Sequence, residues 1–276
     1  MEKLTFPSLL QKRPIVTLFT IFTVVLAGCG AGNEEADPDD NVGTDEAAEP
    51  EEVIFGVVQD YPPFEYKDEN GDLTGYDVEL VEAIAEDQNL TVDWKIMKFD
   101  GIIPALQAQQ IDGAVSAITI RDDRKEVVNF SDPYFESGLS LVVRKDSEIE
   151  SMEDLEGKTI TAKQGTTSLE KAREFAEQYN GDVTVLTEDA ALYLAVEAGN
   201  ADAAINDFPS VAYKIRQDED DTQLRIVGDR LTGEDYGIAL VKDDEELLNK
   251  YNEGLQNLRD SGEFQEIYDK YFGTGE

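Results

Sequence analysis

Residues 105–116 read ALQAQQIDGAVS, and residues 195–206 read AVEAGNADAAIN, with four identities at a constant offset of ninety residues. In both stretches a segment with helical spacing precedes a turn, an aspartate and a short apolar run, which predicts a helix followed by a buried strand. Each predicted strand ends in a small or polar pair, Ser116-Ala117 in the first copy and Asn206-Asp207 in the second. Ligands of open α/β sheets lie beyond the carboxyl ends of strands, so the repeat predicts a cleft between two similar lobes.

The sequence around the repeat alternates short apolar runs with amphipathic segments, which is the pattern of an α/β protein. Strands are predicted at 53–58, 91–97 and 111–116. A helix is predicted to begin at Asp77 as its N-cap, burying apolar residues at helical spacing. A second helix is predicted at 102–109, where Pro104 is tolerated if it lies in the first turn.

The N-terminus carries the features of a secretory signal. Three basic residues precede an apolar stretch from Ile15 to Leu26, and the chain's single cysteine follows at Cys29. The apolar stretch is shorter than the roughly 20 residues that a membrane span needs. Its ending, Leu26-Ala27-Gly28-Cys29, resembles the lipobox of bacterial lipoproteins, which implies cleavage before Cys29 and a diacylglycerol on its sulfur. The alternatives are a transmembrane helix or an ordinary signal peptide with an incidental cysteine.

The segment after Cys29 is acidic and has little to bury. Residues 30–52 contain ten acidic residues and no basic ones. Such a composition predicts a disordered, self-repelling tether. The predicted organisation is therefore a signal peptide at 1–28, a tether at 29–52 and a folded part from Val53 onward.

The charge and composition exclude several functions. The net charge is −38 at pH 7, which excludes a nucleic-acid surface because phosphate contacts need clustered lysine and arginine. The acidity has two interpretations, a surface adapted to high salt, which we favour, or attraction of a cationic partner. The chain has no histidine, the commonest general base and metal ligand, and no glycine-rich phosphate loop. We therefore expect no metal and no cofactor.

An ordered series of motifs in residues 53–273 resembles the polar amino-acid-binding proteins of ABC importers, with a pattern similar to glutamine-binding proteins. The motifs are DYPPFE (60–65), GYDV (75–78), GIIPAL (101–106), Ile118-Thr119 with Arg124, FSDPY (130–134), LEGK (155–158), GTTS (165–168), NDFP (206–209), YGIA (236–239) and EIYDKYFG (266–273). The resemblance implies a type II periplasmic-binding-protein-like fold. Lobe 1 would comprise 53–135 and 236–273, lobe 2 would comprise 136–235, and the chain would cross near 134–138 and 232–236.

The resemblance also implies a function. The protein would be a monomeric, lipid-anchored binding protein on the extracytoplasmic side of the cell membrane, with no catalytic residues. It would close its lobes around one amino acid and deliver it to the permease subunits of an ABC transporter.

The α-carboxylate of such a ligand needs donors once water is excluded. Arg124 offers a planar fork for bidentate binding, although its charged run alone would favour a surface arginine. The resemblance assigns Arg124 to the carboxylate, with Thr119 beside it. It also assigns backbone groups of Ser116 and Ala117 from the first strand end. From the other lobe, the amide of Thr167 at a helix start would meet the same carboxylate, because free N–H groups there attract anions.

The resemblance also assigns residues to the ligand's ammonium and to its aliphatic part. Asp207 would take the ligand's ammonium, while the alternative is a helix cap before Phe208. Tyr61 and Phe99 correspond to rings that sandwich the ligand's aliphatic part, while core packing is the alternative for each. Thr167 and Glu170 have the spacing of a capping box.

The residues around the ligand's side chain match glutamine-binding members only in part. Lys163 corresponds to a lysine that binds the amide oxygen, and its charge would repel basic ligands. Asn206 lies where another polar residue occurs. The aspartate that would accept the amide N–H is replaced by Val58, so Gln59 or Asp60 substitutes or the ligand differs. Glutamine or glutamate ranks first, other polar amino acids next and basic ones last.

Two other classes share this fold. One is an enzyme such as a dehydratase acting on a cyclic carboxylic acid, which would need a positioned acid with a shifted pKa. The other is a tethered ligand-sensing domain that signals rather than transports.

Overall fold

The computed structural model describes residues 50–273. The strands are β1 (Glu51–Val57), β2 (Asp60–Tyr61), β3 (Glu65–Lys67), β4 (Leu73–Thr74), β5 (Leu90–Ile96), β6 (Gly113–Ala114), β7 (Val128–Phe130), β8 (Phe135–Ser137), β9 (Leu139–Arg144), β10 (Thr159–Lys163), β11 (Asp182–Leu186), β12 (Ala203–Asp207), β13 (Leu224–Val227), β14 (Glu234–Tyr236) and β15 (Ala239–Val241). The helices are α1 (Tyr76–Asp87), α2 (Phe99–Gln107), α3 (Asp122–Lys125), α4 (Thr167–Gln178), α5 (Asp189–Glu197), α6 (Phe208–Asp218), α7 (Glu245–Ser261) and α8 (Glu263–Phe272), and short 3-10 helices span Met152–Leu155 and Glu219–Asp221.

Two five-stranded sheets have the same topology. The first has the order β5-β1-β6-β15-β7 and the second the order β11-β10-β12-β9-β13. In each, the first three strands are parallel, the fourth is antiparallel to them, and the fifth is antiparallel to the fourth. We call the first sheet with β2–β4, α1–α3, α7 and α8 lobe 1, and the second sheet with α4–α6 lobe 2. The predicted α/β fold of two similar lobes is confirmed.

The two repeat aspartates explain why the sequence repeats. A carboxylate oxygen of Asp112 accepts a hydrogen bond from the Ile54 N–H in β1, at 2.8 Å. A carboxylate oxygen of Asp202 accepts one from the Thr159 N–H in β10, also at 2.8 Å. Each aspartate therefore ties the turn after a helix, α2 or α5, to the second strand of its sheet, β1 or β10.

The chain passes between the two sheets twice. It leaves lobe 1 through β8 and returns through β14, and these two strands pair antiparallel, with Phe135 opposite Tyr236. The paired crossings form a two-stranded ribbon. A ribbon of this kind can bend as a hinge while the sheets stay rigid.

Apolar side chains cover both faces of the sheet in each lobe. In β9, Leu139, Leu141 and Val143 pack on one face of the second sheet, and Val142 packs on the other. This alternation follows from the two-residue period of a strand. In lobe 1 the rings of Phe64, Tyr76, Phe135, Tyr236 and Phe272 form one contacting aromatic cluster beside the hinge ribbon.

Three local predictions were wrong. Gly75, not Asp77, is the N-cap of α1, because the fully buried Asp77 carboxylate instead accepts a hydrogen bond from the Ala117 N–H at 2.7 Å. Helix α2 begins at Phe99, so Pro104 lies beyond its first turn. Strand β1 begins at Glu51, so the last two residues assigned to the acidic tether belong to the sheet, where both pair with β5.

The predicted signal peptide, Cys29 and the tether up to Glu49 lie outside the described residues. Within residues 50–273, none of the helices combines the length and the apolar character that crossing a bilayer requires.

Candidate ligand-binding site

A cavity with an empty volume of about 370 Å³ lies between the lobes. All ten residues predicted to bind a ligand line it: Tyr61, Phe99, Ser116, Ala117, Thr119, Arg124, Lys163, Thr167, Asn206 and Asp207. The first six belong to lobe 1 and the last four to lobe 2. The two strand ends singled out by the repeat therefore face one shared space.

Arg124 is a buried cation on this cavity. It is 6% exposed, and its Nη1 donates to the carbonyl of Thr119 at 2.8 Å. Its Nη2 donates across the cleft to the carbonyl of Gly165 in lobe 2, at 3.1 Å. Burial lowers the pKa of Arg124 to about 10, which leaves the guanidinium charged at neutral pH. A fixed, desolvated guanidinium of this kind attracts a carboxylate strongly.

Asp207 places a carboxyl group on the lobe 2 side of the same cavity. It occupies the N-cap position of α6, but its side chain makes no capping hydrogen bond, so the alternative role as a cap fails. Instead the Tyr61 hydroxyl of lobe 1 donates to Asp207. The pKa of Asp207 is raised to about 7, chiefly by burial and also by the nearby Glu234 carboxylate, while the hydrogen bond from Tyr61 opposes the shift. An ammonium group beside it would favour its charged form.

The end of β6 is held in place by side-chain bonds. The Ser116 hydroxyl accepts from the Val58 N–H at 3.0 Å, and the Thr119 hydroxyl donates to Glu234 at 2.8 Å. Ala117 has a φ of +45°, which a residue with a Cβ adopts rarely, and Asp77 binds its N–H. The buried Asp77 carboxylate therefore holds this turn in an uncommon backbone conformation beside the cavity.

The start of α4 faces the cavity from lobe 2. The N-cap is Thr166, whose hydroxyl accepts from the Leu169 N–H at 3.2 Å, so the capping box predicted for Thr167 and Glu170 was wrong. The Thr167 hydroxyl is buried and has no hydrogen-bond partner within the described range. The first turn of a helix attracts anions, so this end of the cavity suits a carboxylate.

Lys163 is paired with a carboxylate that the sequence did not single out. Lys163 is 4% exposed and donates to Asp189, which is 2% exposed, and Asp60 lies 3.8 Å from its Nζ. Although burial opposes it, these carboxylates raise the pKa of Lys163, so the lysine is charged. The close pair with Asp189 has no net charge, which weakens the repulsion of basic ligands expected from Lys163.

Asn206 belongs to the same network. Its Nδ2 donates to Asp189 at 3.2 Å and to the Tyr193 hydroxyl at 2.8 Å, and its Oδ1 accepts from Tyr61 at 3.4 Å. These three contacts fix the orientation of the amide at the end of β12.

The two aromatic residues face cations as well as the cavity. The Lys163 ammonium lies 5.3 Å from the centre of the Tyr61 ring and 5.9 Å from that of Phe99. The Arg124 guanidinium lies 5.7 Å from the Phe99 ring. Cation–π contacts of this length are favourable and hold the rings at the cavity wall.

Four lining residues were missed by the sequence analysis as site residues: Glu65, Thr166, Ser168 and Asp189. Glu65 stands at the end of the DYPPFE motif, which was the available signal. Asp189 had no distinguishing signal among 61 acidic residues. Among the residues from 50 to 273, His, Cys, Asp and Glu side chains form no group of three suited to a metal ion.

Comparison with known proteins agrees with this architecture. Residues 53–274 match the model of the bacterial extracellular solute-binding proteins, family 3. The probable amino-acid-binding protein YxeM of Bacillus subtilis (strain 168) is 31% identical over 265 residues, covering 95% of this chain and 96% of that protein. The ABC transporter glutamine-binding protein GlnH of the same strain is 33% identical over 267 residues, covering 93% of this chain and 94% of GlnH.

Solved structures of amino-acid-binding proteins are also similar to this chain. An ancestral arginine-binding protein bound to arginine has a TM-score of 0.77 and 38% identity, covering 82% of this chain and 100% of that one. An ancestral arginine-binding protein bound to glutamine has a TM-score of 0.75 and 38% identity, covering 80% of this chain and 98% of that one. The chain therefore belongs to the bacterial extracellular solute-binding proteins of family 3, as the motif series predicted.

Proposed function

We propose that the protein captures one polar L-amino acid between its lobes and hands it to the permease of an ABC transporter, with glutamine or glutamate as the favoured ligand. The observation that carries the proposal is the presence of Arg124 from lobe 1 and Asp207 from lobe 2 on one cavity. A free amino acid carries a carboxylate and an ammonium, and these two side chains match them. Because they come from different lobes, a ligand bound to both favours the closed arrangement.

The groups around the predicted carboxylate position support this assignment. Arg124 supplies N–H donors, and the first turn of α4 brings further backbone N–H groups from the opposite lobe. Asp207 supplies an acceptor beside Tyr61. The cavity is small and enclosed by both lobes, which suits a single small molecule rather than a peptide.

The end of the cavity around Lys163 supports a polar side chain. Lys163 is charged and buried, so it can donate to an oxygen of the ligand's side chain. The similarity to the glutamine-binding protein GlnH and to a structure bound to glutamine points to the same ligand class. Similarity to an arginine-binding protein, together with the pairing of Lys163 to Asp189, keeps basic amino acids among the ligands to be tested.

The proposal includes the cellular setting. We infer that a lipid on Cys29 anchors the protein outside the cytoplasm, as the lipobox-like ending of the signal indicates.

A thermal-shift screen against the common amino acids tests the function. A true ligand at 100 times its dissociation constant should stabilise the protein by about 2.7 kcal/mol. Arg124→Ala should abolish the shift, whereas the matched variant Arg173→Ala, which removes an exposed arginine from α4, should leave it unchanged. Full affinity in Arg124→Ala would overturn the carboxylate assignment, and a screen without any stabilising amino acid would overturn the function.

A further inference from the structure

Glu65 is a carboxyl group on the cavity that no residue of the described range satisfies. It is the first residue of β3, it is 0% exposed, and it lines the cavity. Neither of its carboxylate oxygens has a hydrogen-bond donor within residues 50–273. A buried carboxylate without donors is costly, so Glu65 needs either a proton or a donor from a bound molecule.

The charged side chains of Asp77 and Lys163 act on Glu65, and one carboxylate oxygen of Asp77 has no donor within the described residues. Asp77 uses one oxygen to accept from the Ala117 N–H and from the Tyr134 hydroxyl, at 2.7 and 2.9 Å. Lys163 is paired with Asp189. Burial and the Asp77 carboxylate raise the pKa of Glu65 well above its ordinary value, while Lys163 acts in the opposite direction. A hydrogen bond with Asp77, which Glu65 makes only as the donor, also raises the pKa of Glu65 and favours its protonated form, and Lys163 lines the same cavity as Glu65.

Together Lys163 and Glu65 offer what a primary amide requires. An amide presents a carbonyl oxygen, which an ammonium can donate to, and N–H groups, which a carboxylate can accept. Val58 lines the same cavity but has no acceptor in its side chain, so it cannot receive the amide N–H. A ligand ending in a carboxylate would instead bring a second negative group, without any N–H, towards Glu65.

We propose that Glu65 is a specificity-determining residue whose carboxylate accepts an N–H from the amide at the end of the ligand's side chain, so that the site selects glutamine over glutamate. This inference rests on the function proposed above and narrows the favoured ligand from glutamine or glutamate to glutamine. Glu65 would then accept the amide N–H, a role that glutamine-binding proteins give to an aspartate and for which this chain has Val58 at the matching position.

Calorimetric titration of the purified protein with glutamine and with glutamate tests the assignment. The unmodified protein should prefer glutamine by tenfold or more, because glutamate lacks the amide N–H and brings a second carboxyl group against Glu65. Glu65→Gln replaces the carboxylate with an amide of similar size and should reduce that preference by about tenfold. Adding Val58→Asp to Glu65→Gln should restore it by supplying a different acceptor. The control Glu86→Gln, which changes an exposed glutamate of α1, should leave the preference unchanged.

A second measurement does not depend on any variant. The γ-methyl ester of glutamate keeps the side-chain carbonyl but has no N–H, so it should bind at least about tenfold more weakly than glutamine. Equal binding of glutamine and the ester, a preference for glutamate, or an unchanged preference in Glu65→Gln would overturn the inference. A Glu65→Gln protein that fails to fold would also overturn it, because Glu65 would then serve the structure through Asp77. If the unmodified protein binds no amino acid at all, the proposed function itself fails, which separates the two results.

Discussion

The hydroxyl of Tyr61 donates a hydrogen bond to the carboxylate of Asp207, and this bond joins lobe 1 to lobe 2 at the cavity. Tyr61 lies at the end of β2, and Asp207 lies at the end of β12. The bond can form only when the lobes are together. Asp207, which we assign to the ligand's ammonium, therefore accepts this bond only in the closed arrangement of the lobes.

Tyr61→Phe should weaken ligand binding without unfolding the protein. It removes the hydroxyl that holds Asp207 and keeps the ring, and a hydrogen bond to a charged group contributes about 1.5–3 kcal/mol. Titration calorimetry should show a loss of affinity of about tenfold. Tyr251→Phe is the matched control, because it deletes a buried hydroxyl that has no partner within the described residues and lies in the core of lobe 1. Equal losses in the two variants would show that the bond between Tyr61 and Asp207 does not favour closure.

Ligand affinity should fall as the pH falls below about 7. Burial raises the pKa of Asp207 to about 7, so this carboxyl is charged above that pH and takes up a proton below it. An ammonium binds the charged form, and the proton must leave when the ligand binds. Affinity should therefore be constant above pH 7 and should drop by up to about tenfold per pH unit below it, until the lower pKa of the bound state is reached.

The variant Asp207→Asn separates this effect from the other buried carboxyl groups. It should bind weakly at every pH and should lose the part of the pH dependence that lies just below 7. Asp77, whose pKa burial raises to about 6, and Glu65, whose pKa burial also raises, would account for any dependence that remains. If Asp207→Asn keeps the full slope between pH 6 and 7, the titrating group is not Asp207.

Another contact between the lobes lies at the surface. Arg121 of lobe 1 and Glu170 of α4 form an ion pair at 2.5 Å. Exposed pairs contribute up to about 1 kcal/mol, so Glu170→Gln should increase the rate of ligand release two- to fivefold. The difference should vanish near 1 M salt, where the Debye length is about 3 Å.

Glu174→Gln is the matched control for that pair. Glu174 pairs with Lys171 at 2.6 Å within α4, so its loss does not affect contact between the lobes. Stopped-flow release measured in both variants compares the two effects directly. Faster release in Glu174→Gln as well would show that the charge of α4, rather than the cross-lobe pair, sets the rate.

The architecture was predictable because it depends on features that the sequence repeats. Asp112 and Asp202 make the same bond in their two sheets, and the segments before them are both helices. Local boundaries were less predictable. Aspartate is a residue type that favours the N-cap position. In the folded protein, however, the Asp77 carboxylate accepts a hydrogen bond from the Ala117 N–H, and Gly75 is the N-cap of the helix.

The site was predictable where its residues stand at strand ends or in recognisable motifs. All ten predicted residues reach the cavity, because the carboxyl ends of β6 and β12 face each other across it. Asp189 was missed because its role depends on a contact with Lys163 that no local pattern reveals. Glu65 was missed because no sequence pattern reveals that, among the described residues, its carboxylate oxygens are buried without hydrogen-bond donors.

Gly165→Ala should impair closure. Gly165 has a φ of +81°, and a Cβ there would lie 3.1 Å from the Cα of Asp100 in lobe 1. Its carbonyl also accepts the cross-cleft bond from Arg124. The added methyl group should hold the lobes apart and weaken binding by about tenfold, which corresponds to about 1.4 kcal/mol.

Gly157→Ala separates crowding at the cleft from backbone strain. Gly157 has a φ of +68°, but a Cβ there would meet nothing within 4 Å. Both variants should lower the free energy of unfolding by about 1 kcal/mol, since alanine is disfavoured at positive φ. Only Gly165→Ala should also weaken ligand binding, because only its methyl group points at the opposite lobe. Equal affinities in the two variants, measured by titration, would mean that the approach of Gly165 to Asp100 is not part of the state that binds the ligand.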